Sequence, residues 1–246
     1  MPPTWLTFLA WASLAAGGLS AGATRFDVYG RCLRQPMRVM EAVWPITAQY
    51  LGPLGWFAYA RLGRPRAERH AGVGREAVAE WQDIAVSASH CGAGCALGDV
   101  AGEWVVFAGS ITIAGAALWP GYVLDFAIAY VLGILFQYLA IKPMSDLSRR
   151  AALRRAIQAD TLSIVAFELG MFAWMALVDF VLFTHPHLGA DDAAFWLMMQ
   201  LAMAIGLLTT YPTNAWLVRR GVKHPMGRPT LRAAAAGAAT SRERVA

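Results

Sequence analysis

The sequence predicts an all-α fold: a polytopic transmembrane helix bundle of about six spans, one of them broken or re-entrant. Three observations predict it. The 246 residues are 57% hydrophobic and only 15% charged, against roughly 25% charged in ordinary soluble domains, and mean hydropathy is +0.44. The apolar residues come in long runs rather than amphipathic periods, and a span needs about 20 of them. Trp5, Trp44, Trp104, Trp119 and Trp216 stand near the ends of those runs, where amphipathic rings anchor at lipid headgroups.

Taken in order, the first run covers 4–22. Small residues close it as in a cleaved leader, but no Lys or Arg precedes it, so the charged region of a leader is missing. A basic connection with Arg25, Arg31, Arg34 and Arg38 follows. The second run, 39–60, contains Pro45 and Pro53 and is expected to kink or break there. Residues 61–80 read as a charged surface loop with a short amphipathic helix. The third run, from about 81 to 118, is too long for one perpendicular span at about 1.5 Å per residue. Either its start lies along the interface or its glycine-rich middle breaks it. The fourth run is 122–141, the fifth 156–184 and the sixth 193–218. Residues 1–228 are then one transmembrane helical domain, and 229–246 a disordered basic tail.

The net charge of +5 would favour nucleic acid in a soluble domain. Here the arginines lie between apolar runs, where they set orientation instead, so no nucleic-acid partner is expected and the bilayer is the principal one. Connection 142–155 and the tail are rich in basic residues, while 185–192 is acidic. By the positive-inside rule both chain ends are then cytoplasmic, in a bacterial inner membrane. Six full spans would leave the Arg-rich 25–38 segment outside. The conflict eases if the second run is re-entrant, or if the first run enters from outside.

The chemistry concentrates between Asp83 and Glu103. Asp83, Ser87, Cys91, Cys95, Asp99 and Glu103 fall four apart, so on a helix they form one polar, thiol-bearing ridge. Gly94, Gly98 and Gly102 repeat the same spacing, a small-residue stripe that admits a second helix backbone. Cys91 and Cys95, with Cβ atoms about 6 Å apart on a helix, are too distant for a strain-free disulfide. Thiolates with an imidazole suit Cu(I) or Zn(II), and His90 is adjacent but about 100° round the helix from Cys91. The plain alternative is that both cysteines act as small buried apolar residues.

An Asp at a helix centre costs about 2.5 kcal/mol or more to insert. Asp99, Glu103 and Glu168 therefore call for a partner or a wet cavity; Asp125 does so less strongly, and Asp160 and Asp179 lie near run ends. Two methionine pairs, Met171 with Met175 and Met199 with Met203, are thioether ligands in principle but suit gap-filling better. Tyr211 and Asn214 beside Pro212 fit the wiring of a kinked helix end.

Three blocks, VWPITAQYLGPLGWFAY at 43–59, SHCGAGCALGDVAGEW at 89–104 and YPTNAWLVRRGVKHPM at 211–226, carry a resemblance. Together they resemble a bacterial membrane family catalogued as domain of unknown function 4396, over about 27–226. The resemblance implies the membrane fold and the importance of the HCGAGC block. Such proteins are sometimes labelled copper oxidases by neighbourhood, but the His-Cys-His clusters of a multicopper oxidase are absent here.

The leading expectation is binding, with translocation as its extension, of a soft transition metal ion at His90, Cys91 and Cys95. Asp99 and Glu103 would draw the ion in, Glu168 would complete the path, and copper is the first candidate. The alternative is a non-catalytic assembly subunit packed on a membrane-protein partner, or on a second copy, through its glycine stripe. Catalysis ranks last, because no nucleophile–base–orienter set is visible. No haem is expected, because only His90 among the histidines falls inside a run.

Overall fold

A computed structural model describes residues 2–64, 80–113, 116–184 and 187–223. The expected amphipathic helix in 61–80, apart from its ends, and the tail 229–246 lie outside the described residues. Among the described residues, five helices are long and apolar enough to cross a membrane. They are α1 (Thr4–Arg25), α4 (Glu80–Gly109), α5 (Leu118–Ile141), α6 (Arg149–Leu177) and α7 (Ala193–Arg219). Two short helices, α2 (Met40–Leu51) and α3 (Pro53–Ala58), replace the second expected span.

The second run is broken into a helical hairpin. Gly52 adopts φ 58°, ψ −137°, a conformation that is essentially glycine's alone, and Pro53 starts α3 at a position where its missing N–H costs nothing. Pro45 stays inside α2, so the glycine, together with Pro53, makes the break. α3 then runs back along α2. Gly55 lies against the Ala48 backbone, Tyr59 packs edge-on to Trp44 at 5.9 Å, and Gly63 meets the Trp44 indole. Trp44 is therefore a core residue, 1% exposed, and not the interfacial anchor its place in the run suggested. Trp5, Trp104, Trp119 and Trp216 are all about half exposed or more.

The long helices alternate in direction. Gly94, Gly98 and Gly102 of α4 stand against Gly133, Ala129 and Asp125 of α5, which makes that pair antiparallel and closely packed. Tyr130 to Thr161 and Tyr122 to the Phe172 carbonyl pair α5 with α6. Thr210 to the Ser163 carbonyl and Trp174 to the Met198 carbonyl pair α6 with α7. Arg219 reaches Glu80, which brings the end of α7 to the start of α4. At the same end, Arg64 pairs with Asp27 and Arg34 with Glu41.

This arrangement gathers Arg25, Arg31, Arg34, Arg38, Arg61, Arg64, Lys142, the 149–155 arginines and Arg219 at one end of the bundle. Five long helices and a hairpin put Pro2 and Lys223, the ends of the described chain, at opposite ends of the bundle, unlike the expectation that both chain ends share one face. It also removes the conflict over 25–38. In the third run one of the two alternatives is removed: α4 is continuous through its glycines and ends at Gly109.

α4 is the centre of the molecule. More than half of its residues are buried, with α5, α7, α2 and α6 around it. Its glycines explain how. Added carbon at 94, 98 or 102 would collide with the α5 backbone, so the small-residue stripe sets the close helix contact.

Candidate functional site

The polar ridge of α4 looks into the middle of the bundle. Cys91, Cys95 and Asp99 are each 0% exposed, and Glu103, two turns nearer the non-basic end than Cys95, is partly exposed. Three other elements meet this ridge. α6 supplies Glu168, 1% exposed, and α5 supplies Asp125, also 1% exposed. The tip of the hairpin supplies Tyr50, whose hydroxyl lies over Gly92, where a Cβ would stand 3.1 Å from it.

Local packing fixes these positions. Gly170 and Gly206 let α6 and α7 close on each other, with Thr209 donating to the Ala166 carbonyl at 2.7 Å. The hairpin tip is tied down by Gln200. Its amide donates to the Gln49 carbonyl at 3.0 Å, and its oxygen accepts from Ser13 at 2.7 Å, which satisfies one of the free carbonyls at the end of α2. Gly121 leaves room for Glu103: a Cβ there would lie 3.2 Å from Glu103 Oε1.

The groups form a connected file. Cys95 interacts with Cys91 and with Glu168, Glu168 with Asp99, and Glu103 with Asp125. Tyr50 lies in the field of Cys95, Cys91 and Asp99. The charges that act on Asp99 are all acidic: Glu168, Asp125 and Glu103. Both carboxyl oxygens of Asp99, both of Glu168 and Asp125 Oδ1 are buried without a hydrogen-bond partner. Buried carboxyls normally find a donor or a cation. Here the carboxyls face one another and two thiols, so shared protons or a cation must offset their charge.

At the end opposite the basic one, a cavity of about 420 Å³ opens among α4, α5, α6 and the segment before α7. Glu103 lines it, as do Asp179 and His187, which pair at 2.8 Å. Asp125 thus stands between this open mouth and the Asp99–Glu168 pair.

Of the residues singled out from sequence, Cys91, Cys95, Asp99 and Glu168 are brought together, and Glu103 joins them through Asp125. His90 is not with them. Its ring packs edge-on to Phe136 at 6.1 Å, both its nitrogens are buried and unpartnered, and the charges acting on it are Asp160 and Lys223. Among the described residues no three His, Cys, Asp or Glu side chains are already arranged around a common metal position. Met171, Met175, Met199 and Met203 fill the apolar core. Tyr50 and Asp125 are the members that sequence reasoning underweighted. Asp125 had a legible signal, since it lies on α5 at four-residue spacing from Ala129 and Gly133 and so faces the α4 stripe. The glycine stripe itself is covered by α5, which leaves it no free face for a partner.

No curated protein and no solved structure matches the chain. A family profile described as Domain of unknown function (DUF4396) matches residues 80–223. The match begins at α4 and runs to Lys223, so it takes in the ridge, Asp125, Glu168 and α7 and leaves out α1 and the hairpin. As this covers more than half of the sequence, the chain belongs to the DUF4396 family.

Proposed function

We propose that this is a multi-pass protein of the bacterial inner membrane that binds a soft transition metal ion, copper first, and passes it along the α4 ridge. The basic end of the bundle, with the C-terminus, then faces the cytoplasm, and the cavity by Glu103 faces outward. The ion enters there, is drawn past Glu103 and Asp125, and is held by Cys91, Cys95, Asp99 and Glu168. His90 is the next group inward.

One observation carries this reading: two buried thiols stand beside two buried carboxyls, Asp99 and Glu168, whose polar neighbours are each other, the thiols and further carboxyls. Thiols select soft ions, and a file of carboxyls that can exchange their protons for a cation favours a cation over an anionic solute. The side chains would close on the ion by rotamer changes about a fixed backbone. A docking role through the glycine stripe has lost its surface, because Ala129 and Gly133 occupy it.

Replacing Asp99 by Asn together with Glu168 by Gln tests the carboxyl half of the site. The purified double variant should hold Cu(I) about tenfold or more weaker than the parent protein. Equal affinity would contradict the assignment.

A further inference from the structure

The basic half of the bundle holds a second buried polar cluster, which the thiol site does not use. Lys223 is only 1% exposed, although lysine is almost never fully buried unless paired. It gets there because α7 ends at Arg219 and Gly221, at φ 70°, turns the chain. The Val222 and Lys223 amides then both donate to the Leu217 carbonyl, and the side chain runs back into the bundle. Its ammonium donates to Asp160 Oδ1 at 2.5 Å and to Asn214 Oδ1 at 2.7 Å.

The cradle around that ammonium is held by its own bonds. Asn214 donates to the Thr210 carbonyl at 3.0 Å, which aims its oxygen at the lysine, and Ser163 donates to that same oxygen at 3.3 Å. Thr210 in turn donates to the Ser163 carbonyl at 2.7 Å. Asp160 Oδ2 remains unspent beside it, and both ring nitrogens of His90, one of which is an acceptor in a neutral imidazole, are buried without partners. His90 lies in the field of both Asp160 and Lys223. A buried ion pair adds little over an apolar pair of the same size, so stability does not account for the arrangement. A flexible, compact point charge set among unspent ligands stands where a free cation would.

We propose that Asp160, Asn214 and His90 form a second cation position, filled here by the Lys223 ammonium as a tethered plug. A divalent ion with nitrogen and oxygen preference takes the two oxygens Lys223 now uses and adds Asp160 Oδ2 and the imidazole, which Lys223 leaves idle. Lys223 then swings out on its four-carbon stem. As a binding position this stands apart from the thiol site. Its role as the inner gate of the path rests on the function proposed above.

The test uses full-length protein in detergent carrying Cys91→Ala and Cys95→Ala, with Zn(II) as a redox-silent probe. Adding Lys223→Met should let the chain retain about one further Zn(II), and adding Asp160→Asn as well should abolish it. Without Zn(II), Lys223→Met leaves Asp160 uncompensated, so its melting temperature should fall and should recover when Zn(II) is supplied. Equal Zn(II) retention with and without Lys223 overturns the proposal. So does a Lys223→Met protein that stays unfolded in Zn(II) or melts identically with and without it. Because the thiols are absent from this background, the outcome is independent of whether the cysteine site binds copper.

Discussion

Gly98→Ala adds a single methyl group at the tightest point of the α4–α5 contact. The new Cβ would stand 2.8 Å from Ala129 Cβ and closer still to the Ala129 nitrogen and Cα. Carbon atoms rest at about 3.5–4.0 Å, so α5 must retreat by about 1 Å over that turn. Overpacking of this kind costs about 1–3 kcal/mol, and backbone atoms, which cannot rotate away, put it at the upper end. The better helix propensity of Ala returns up to about 1 kcal/mol. A net loss of about 1–2 kcal/mol is expected, read as lower melting in detergent followed by circular dichroism at 222 nm. Gly18→Ala on α1 is the control, because nothing lies within 4 Å of its Cβ; it should melt at or slightly above the parent. Combining Gly98→Ala with Ala129→Gly should recover part of the loss, because it removes the methyl–methyl clash and leaves the backbone one. A Gly98→Ala protein as stable as Gly18→Ala would refute the close antiparallel packing on which the site's geometry depends.

Three further outcomes follow from the same structure. Gly52→Ala places a side chain in a backbone conformation that only glycine holds easily, so it should destabilise the hairpin by about 1–3 kcal/mol and speed proteolysis within 40–63; unchanged cleavage would count against a hairpin turn at Gly52. Cys32 is exposed while Cys91 and Cys95 are buried, so on detergent-purified protein a polar thiol reagent should label one cysteine per folded chain and three after denaturation; labelling of all three in the folded protein would contradict the buried ridge. Reporter fusions at the two termini should give opposite sides of the membrane, the C-terminal one cytoplasmic, and the same side for both would contradict the five-span topology.

Much of this organisation is legible in the sequence because spacing on a helix is a strong geometric constraint. The four-residue period of Cys91, Cys95 and Asp99 does define one buried ridge, with Glu103 at its partly exposed end, and the parallel period of the glycines does define a close helix contact. What spacing cannot show is which other element faces a ridge. Glu168 could be noticed as a costly intramembrane charge, but only the fold brings it to Cys95 and Asp99. His90 illustrates the opposite limit: adjacency in sequence puts it about 100° away on the helix, and it joins Asp160 and Lys223 instead of the thiols. The hairpin was half visible. The prolines drew attention, yet Gly52, with its positive φ, makes the turn, and Pro53 merely starts the return helix. Lys223 carries no such signal, because it follows the last apolar run among other basic residues. The available clue was Gly221, a glycine just past a helix end, where the chain commonly reverses.

Elemental analysis of detergent-purified protein loaded with Cu(I), the parent beside Cys91→Ala plus Cys95→Ala, tests the central claim most directly. The parent should retain about one copper per chain and the double variant essentially none, with both remaining folded and monodisperse. Equal copper in the two proteins, or none in either, would contradict a soft-metal site on the α4 ridge.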